Sequence, residues 1–169
     1  PALPGGVNGS PLKEGQSVMV DLGGNFNGYM GDMSRVFSIG KLPEEAYAAH
    51  QVCLDIQEKI ASIARPGVSC EQLYDTAIQI ATEAGFRDKF MGTNQQAKFI
   101  GHGIGLEINE APVLAPRMKQ ELEPDMVFAL EPKIVLPGVG PVGIENSWVV
   151  TNEGIEKLTN CREEIIELS

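Results

Sequence analysis

The sequence predicts an α+β fold in which antiparallel hairpins build a sheet and two helices cover it. Three observations carry this expectation. Two amphipathic helical patterns run in series between residues 43 and 85, turn-rich linkers join apolar segments on either side of them, and a faint repeat relates the first apolar segment to a later one.

The first element is a hairpin. SVMVDLGG, residues 17–24, and GYMGDMSRVF, residues 28–37, read as strands joined through Gly23, Gly24, Asn25, Phe26, Asn27 and Gly28. With the turn centred on Phe26 and Asn27, Asp21 stands directly across from Asp32. Opposed like charges in apolar strands are destabilising unless a cation lies between them, and a divalent metal is the natural candidate. The plainer alternative is that both are turn-flanking residues in water.

Pro43, Glu44 and Glu45 then open a helix with acid groups in its first turn, where the macrodipole favours them. Val52, Ile56, Ile60 and Ile63 mark its apolar face, and Arg65-Pro66-Gly67 ends it. Ser69 and Gln72 form a capping box for a second helix, whose stripe is Leu73, Ala77, Ile80, Ala81 and Ala84 before Gly85. Strands are expected at 97–100, 126–131 and 143–150, the last two joined by LPGVGPVG. LKEGQSVMVD, residues 12–21, overlays on LEPDMVFALE, residues 122–131, and each copy leads through a turn to a further acid, Asp32 or Glu145. Two hairpins with two inward acids each point to an internal duplication.

Composition bounds the function. At 169 residues and 43% apolar content the chain suits one domain with a real core. A net charge of −10, from 13 Lys and Arg against 23 Asp and Glu, argues against nucleic acid or a membrane surface as partner. Cys53, Cys70 and Cys161 lack metal or redox spacing, which favours a reducing compartment and a cytoplasmic location. Asn8-Gly9-Ser10 matches a glycosylation sequon of low specificity.

FIGHGIGLEINEAP sets His102 between two glycines, which leave room for a ligand to approach the imidazole. Asp21, Asp32, His102, Glu131 and Glu145 together make a donor set for two divalent ions. At this point the sequence resembles the metallopeptidases of pita-bread fold, which include methionine aminopeptidases, aminopeptidase P, prolidases and creatinase relatives. VDLGGNFNGYMGDMSRVF, GHGIGLEINEAP, ALEP and GIEN match that family's metal motifs in order, from about Leu12 to Leu158, and look most like the Xaa-Pro branch.

The resemblance implies a curved antiparallel sheet under helices, with Asp21, Asp32, His102, Glu131 and Glu145 as metal ligands and Glu131 also handling the catalytic proton. It implies two divalent ions, manganese first, with cobalt, zinc or iron also suited to the donors. The expected activity is hydrolysis of Xaa-Pro bonds at a peptide N-terminus. A binding module without turnover and a creatinase-like C–N hydrolase are the alternatives. The sequence departs from the pattern at Asn109, Lys98 and Gly143, where the branch tends to carry histidine, histidine and arginine, and Asn109 is then a substrate-binding residue. The half-domain that precedes the first hairpin in the family is lacking. Residues 1–169 are accordingly expected to be the C-terminal catalytic domain of a longer chain that forms a homodimer at full length. Val18, Val20, Val36 and Phe37 of the first hairpin should then meet water.

Overall fold

A computed structural model of the protein describes residues 11–168. The sequon at Asn8 lies outside the described residues. The first hairpin is a long ribbon of β1, Ser17–Phe26, and β2, Tyr29–Ile39. Its turn is Asn27-Gly28, both at positive φ (51° and 90°), the conformation that two-residue hairpin loops require and that Asn-Gly supplies. This corrects the register read from the sequence: Asp21 faces Ser34 and Asp32 faces Gly23, so the two acids are diagonal neighbours on one face of the ribbon.

Helix α1, Glu44–Ile63, buries Ala46, Ala49, Val52, Cys53, Ile56 and Ile60. Helix α2, Cys70–Glu83, is capped by Ser69, whose Oγ accepts from the Gln72 amide at 3.3 Å. It buries Leu73, Ala77 and Ala81, while Ala84 is exposed just past its end.

Seven short strands follow, with pairings the sequence pattern left partly unread. They are β3 (Gly101–Gly103), β4 (Glu110–Leu114), β5 (Val127–Leu130), β6 (Lys133–Leu136), β7 (Gly140–Gly143), β8 (Asn146–Val150) and β9 (Ile155–Lys157). An eighth, β10 (Ile166–Leu168), runs parallel to β2 and covers its outer edge. The strand expected at 97–100 instead begins at Gly101, although the Ile100 amide already bonds Leu114 O. Strands β4, β3, β5, β8 and β9 form one sheet in that order, β1, β2 and β10 a second, and β6 and β7 a third.

The second hairpin is not two continuous strands. It runs as β5 paired with β8, then β6 paired with β7, and the ladder breaks between the two pairings at Glu131-Pro132 on one side and Ile144-Glu145 on the other. Proline, with no N–H to give a ladder, is one reason for the break. Gln57 of α1 holds the corner: its Nε2 donates to Leu130 O at 2.6 Å and Ile144 O at 3.5 Å, and its Oε1 accepts from Trp148 Nε1 at 3.0 Å. The hydrophobic core joins both helices to β5, β6, β7 and β8 through residues such as Ile56, Ile60, Leu73, Phe128, Leu130 and Ile134. Val36 joins that core and Val18, Val20 and Phe37 are half-buried, against expectation; on the ribbon it is Leu22, Phe26 and Tyr29 that are exposed.

Candidate metal centre

Hydrogen bonds from outside the local chain fix the segments that carry Asp32, Glu131 and Glu145. Asp32 lies on β2, and its carbonyl accepts from Ser147 Oγ at 3.0 Å. Two residues further on, Ser34 accepts the Glu145 amide at its carbonyl (3.3 Å) and donates its hydroxyl to Glu145 Oε2 (2.6 Å). Arg35, buried, donates Nη1 to Glu145 O at 2.8 Å and Nη2 to Asn146 Oδ1 at 2.9 Å, fixing the same corner from behind. The Glu131 amide donates to Ile100 O at 2.8 Å, just ahead of the strand that carries His102.

These attachments gather one cluster. Donor atoms of Asp32, His102 and Glu145 lie within 4.8 Å of one another. His102 Nε2 is 3.6 Å from Glu131 Oε1 and 3.9 Å from Asp32 Oδ2. Both separations are long for hydrogen bonds. They suit atoms grouped around a shared cation, since donors at bond lengths of about 2.0–2.2 Å lie roughly 3–3.5 Å apart. Asp21 stands beside Asp32 and interacts with it, but unlike the other four it is exposed.

The imidazole is oriented for ligation. His102 Nδ1 lies 3.1 Å from Gly103 O, and because a carbonyl only accepts, that nitrogen carries the hydrogen, which leaves Nε2 as the ring nitrogen that faces the acids. Phe99 packs edge-on against the ring, with centroids 6.4 Å apart. The flanking glycines serve the sheet and not ligand access: a Cβ on Gly101 would meet Leu114 Cδ1 at 3.0 Å and the β5 backbone, and one on Gly103 would meet Glu110 O at 2.8 Å.

Electrostatics mark the cluster as crowded with negative charge. Burial, with Asp21 next, pushes the Asp32 carboxyl up to about 6. Burial, with Glu131 next, pushes Glu145 up to about 8 against the lowering pull of the Ser34 hydroxyl. Lys133, which the sequence reading did not single out, lies buried with Nζ 2.5 Å from Glu131 Oε2. Burial pulls its pKa down, but Glu131, supported by Glu145 and Asp21, outweighs this and leaves it above the ordinary lysine value. A charged residue two positions past an expected ligand was the one available signal.

Asn109 is exposed in the stretch between β3 and β4, and Lys98 is exposed ahead of β3. Gly143 admits no side chain: a Cβ there would lie 2.7 Å from Lys133 Cα and 2.8 Å from its Cβ, and would strike Pro132 O. A cleft of about 650 Å³ opens beside Asp32 and runs along the ribbon between Leu22, Phe26 and Tyr29 on one side and Ile104, Val127 and Leu158 on the other.

Comparison with known proteins places this arrangement among relatives. Residues 2–152 match metallopeptidase family M24. The chain is 32% identical over 166 residues to a Xaa-Pro dipeptidase of Pyrococcus furiosus, covering 98% of this chain and 46% of that protein. Among solved structures it is similar to an X-Pro aminopeptidase from Thermotoga maritima (TM-score 0.89, 32% identity, 99% of this chain and 46% of that one). It is also similar to a Xaa-Pro dipeptidase from Bacillus anthracis (TM-score 0.87, 34% identity, 99% and 46%). The chain thus spans about half the length of the curated relatives it matches.

Proposed function

The chain belongs to metallopeptidase family M24 and shares the pita-bread fold of its structural neighbours, and from that premise we propose that the protein is a metal-dependent peptidase that cleaves the bond between an N-terminal residue and a following proline. The observation that carries this reading is the convergence of Asp32, His102 and Glu145 donor atoms within 4.8 Å, with Glu131 beside them.

Asp21, Asp32, His102, Glu131 and Glu145 would together hold two divalent ions. The mix of carboxylate oxygens and one imidazole suits manganese, and the crowding that raises the Asp32 and Glu145 carboxyls is relieved by a doubly charged ion. Such ions, when bound, supply Lewis-acid activation of water and of the scissile carbonyl. The protein's own groups do the rest. Glu131 presents Oε1 to the pocket, where it takes the proton lost by the attacking water and passes it to the leaving nitrogen as the C–N bond breaks. Proline has no N–H, so its bond suits a site that demands no donor there. The cleft beside Asp32 gives the substrate's N-terminal side chain an apolar wall. Three free cysteines, two of them buried, agree with a reducing compartment, and we assign the protein to the cytoplasm.

The test is hydrolysis of Xaa-Pro dipeptides and longer Xaa-Pro peptides by the full-length protein, with metal content measured on the same sample. Metal bound without any hydrolysis would leave a peptide-binding module, and neither metal nor hydrolysis would remove the reading altogether.

A further inference from the structure

Lys133 stands on β6 directly across from Gly143 on β7. Its side chain is only 5% exposed, and lysine is buried to that degree only when its charge is paired. The pairing is with Glu131, whose Oε2 is 2.5 Å from the ammonium. Glycine across the rung makes this possible, because any side chain at 143 would start 2.8 Å from the Lys133 Cβ and contest its place. Glu131 therefore has its two oxygens divided: Oε2 lies on the ammonium, and Oε1 lies 3.6 Å from His102 Nε2 on the side of the donor cluster.

We propose that Lys133 is a built-in counter-cation of the metal centre, a positioning residue that shares Glu131 with the bound ion, fixes which of its oxygens faces the pocket and holds the affinity for metal down. This rests on the metal-site reading of the cluster. A fixed positive charge a few ångströms from a divalent ion repels it, and the low dielectric of a buried site keeps that repulsion strong. Four acids alone would hold an ion tightly; with one of them half committed to an ammonium, the site exchanges its ion readily.

Mn(II) binding to the metal-stripped full-length protein, by equilibrium dialysis and calorimetry, tests this on wild type, Lys133→Met, Lys133→Gln and Lys133→Arg. The neutral variants should bind Mn(II) at least about tenfold more tightly than wild type, and Lys133→Arg within about threefold of it. The rise in melting temperature on adding Mn(II) should also be larger for the neutral variants. Lys133→Gln keeps a hydrogen bond to Glu131 without the charge and so separates charge from support. A neutral variant that folds only with Mn(II) present supports the proposal, since the ion has then replaced the ammonium. Affinity equal to or weaker than wild type, or failure to fold with or without Mn(II), overturns it. Absence of Mn(II) binding by the wild-type protein would instead overturn the metal-site reading itself.

Discussion

Glu131 and Glu145 are the same residue type in opposite surroundings. One meets an ammonium, whereas burial and then the neighbouring Glu131 push the other's pKa up to about 8 against the lowering pull of the Ser34 hydroxyl. The sign of the consequence follows from proton counting. Glu145 and Asp32 bind protons more tightly folded than unfolded, so their contribution to stability is complete below about pH 4 and is lost as pH rises through about 6 and then about 8. Metal-stripped protein should therefore lose melting temperature between pH 5 and about 8, and Mn(II) should reverse the trend; a stripped protein that gains stability over that range would contradict the clustering of acids. The roles divide as sharply. Glu131→Gln in the full-length protein should lower kcat/KM on a Xaa-Pro dipeptide by about 10³-fold or more, while Asn109→Ala, exposed and at most a substrate contact, should cost less than about tenfold. Equal losses would remove Glu131 from the proton-handling role. The five candidate positions stood out because acids and a glycine-flanked histidine in apolar segments are unusual in themselves, and the structure brings the donor atoms of Asp32, His102 and Glu145 together. Lys133 was not, because its meaning lies in a rung partner and a ladder break that no local pattern records.

At the scale of elements, the helices were legible almost to the residue, since their apolar spacing, Ser69 cap and Pro-Gly stop are all local signals. The first hairpin's register was not. Six consecutive turn-forming or neutral residues allow several turn positions, and only the positive φ of Asn27 and Gly28 selects among them. The second hairpin's corner was equally hidden, because the residue that holds it, Gln57, is 73 positions away from one of its acceptors. Gln57→Leu would remove the side-chain bonds to Leu130 O and Ile144 O and deprive the buried Trp148 Nε1 of its Gln57 partner. It should cost about 2–4 kcal/mol in chemical denaturation and weaken Mn(II) binding, since both acceptor carbonyls immediately precede the two glutamates proposed as ligands. Normal stability and normal metal affinity together would show that the corner holds without it.

On the scale of the molecule, the ribbon tip is the conspicuous apolar surface, with Phe26 80% exposed and Tyr29 65% exposed. Relatives about twice as long offer additional chain that could cover such a surface. With that surface bare, the 169-residue chain should self-associate in analytical ultracentrifugation; a monodisperse 169-residue chain would refute this. A different whole-molecule property follows from the amides of Glu131 and Glu145. The first donates to Ile100 O, just ahead of the strand that carries His102, and the second to Ser34 O on the strand that carries Asp32. The segments that carry the proposed ligands are thus laced in two pairs by main-chain bonds that do not involve the side-chain donor atoms. Those two amide protons should exchange with deuterium only when the segments part, so their exchange rates time the opening of the centre independently of whether any ion is present.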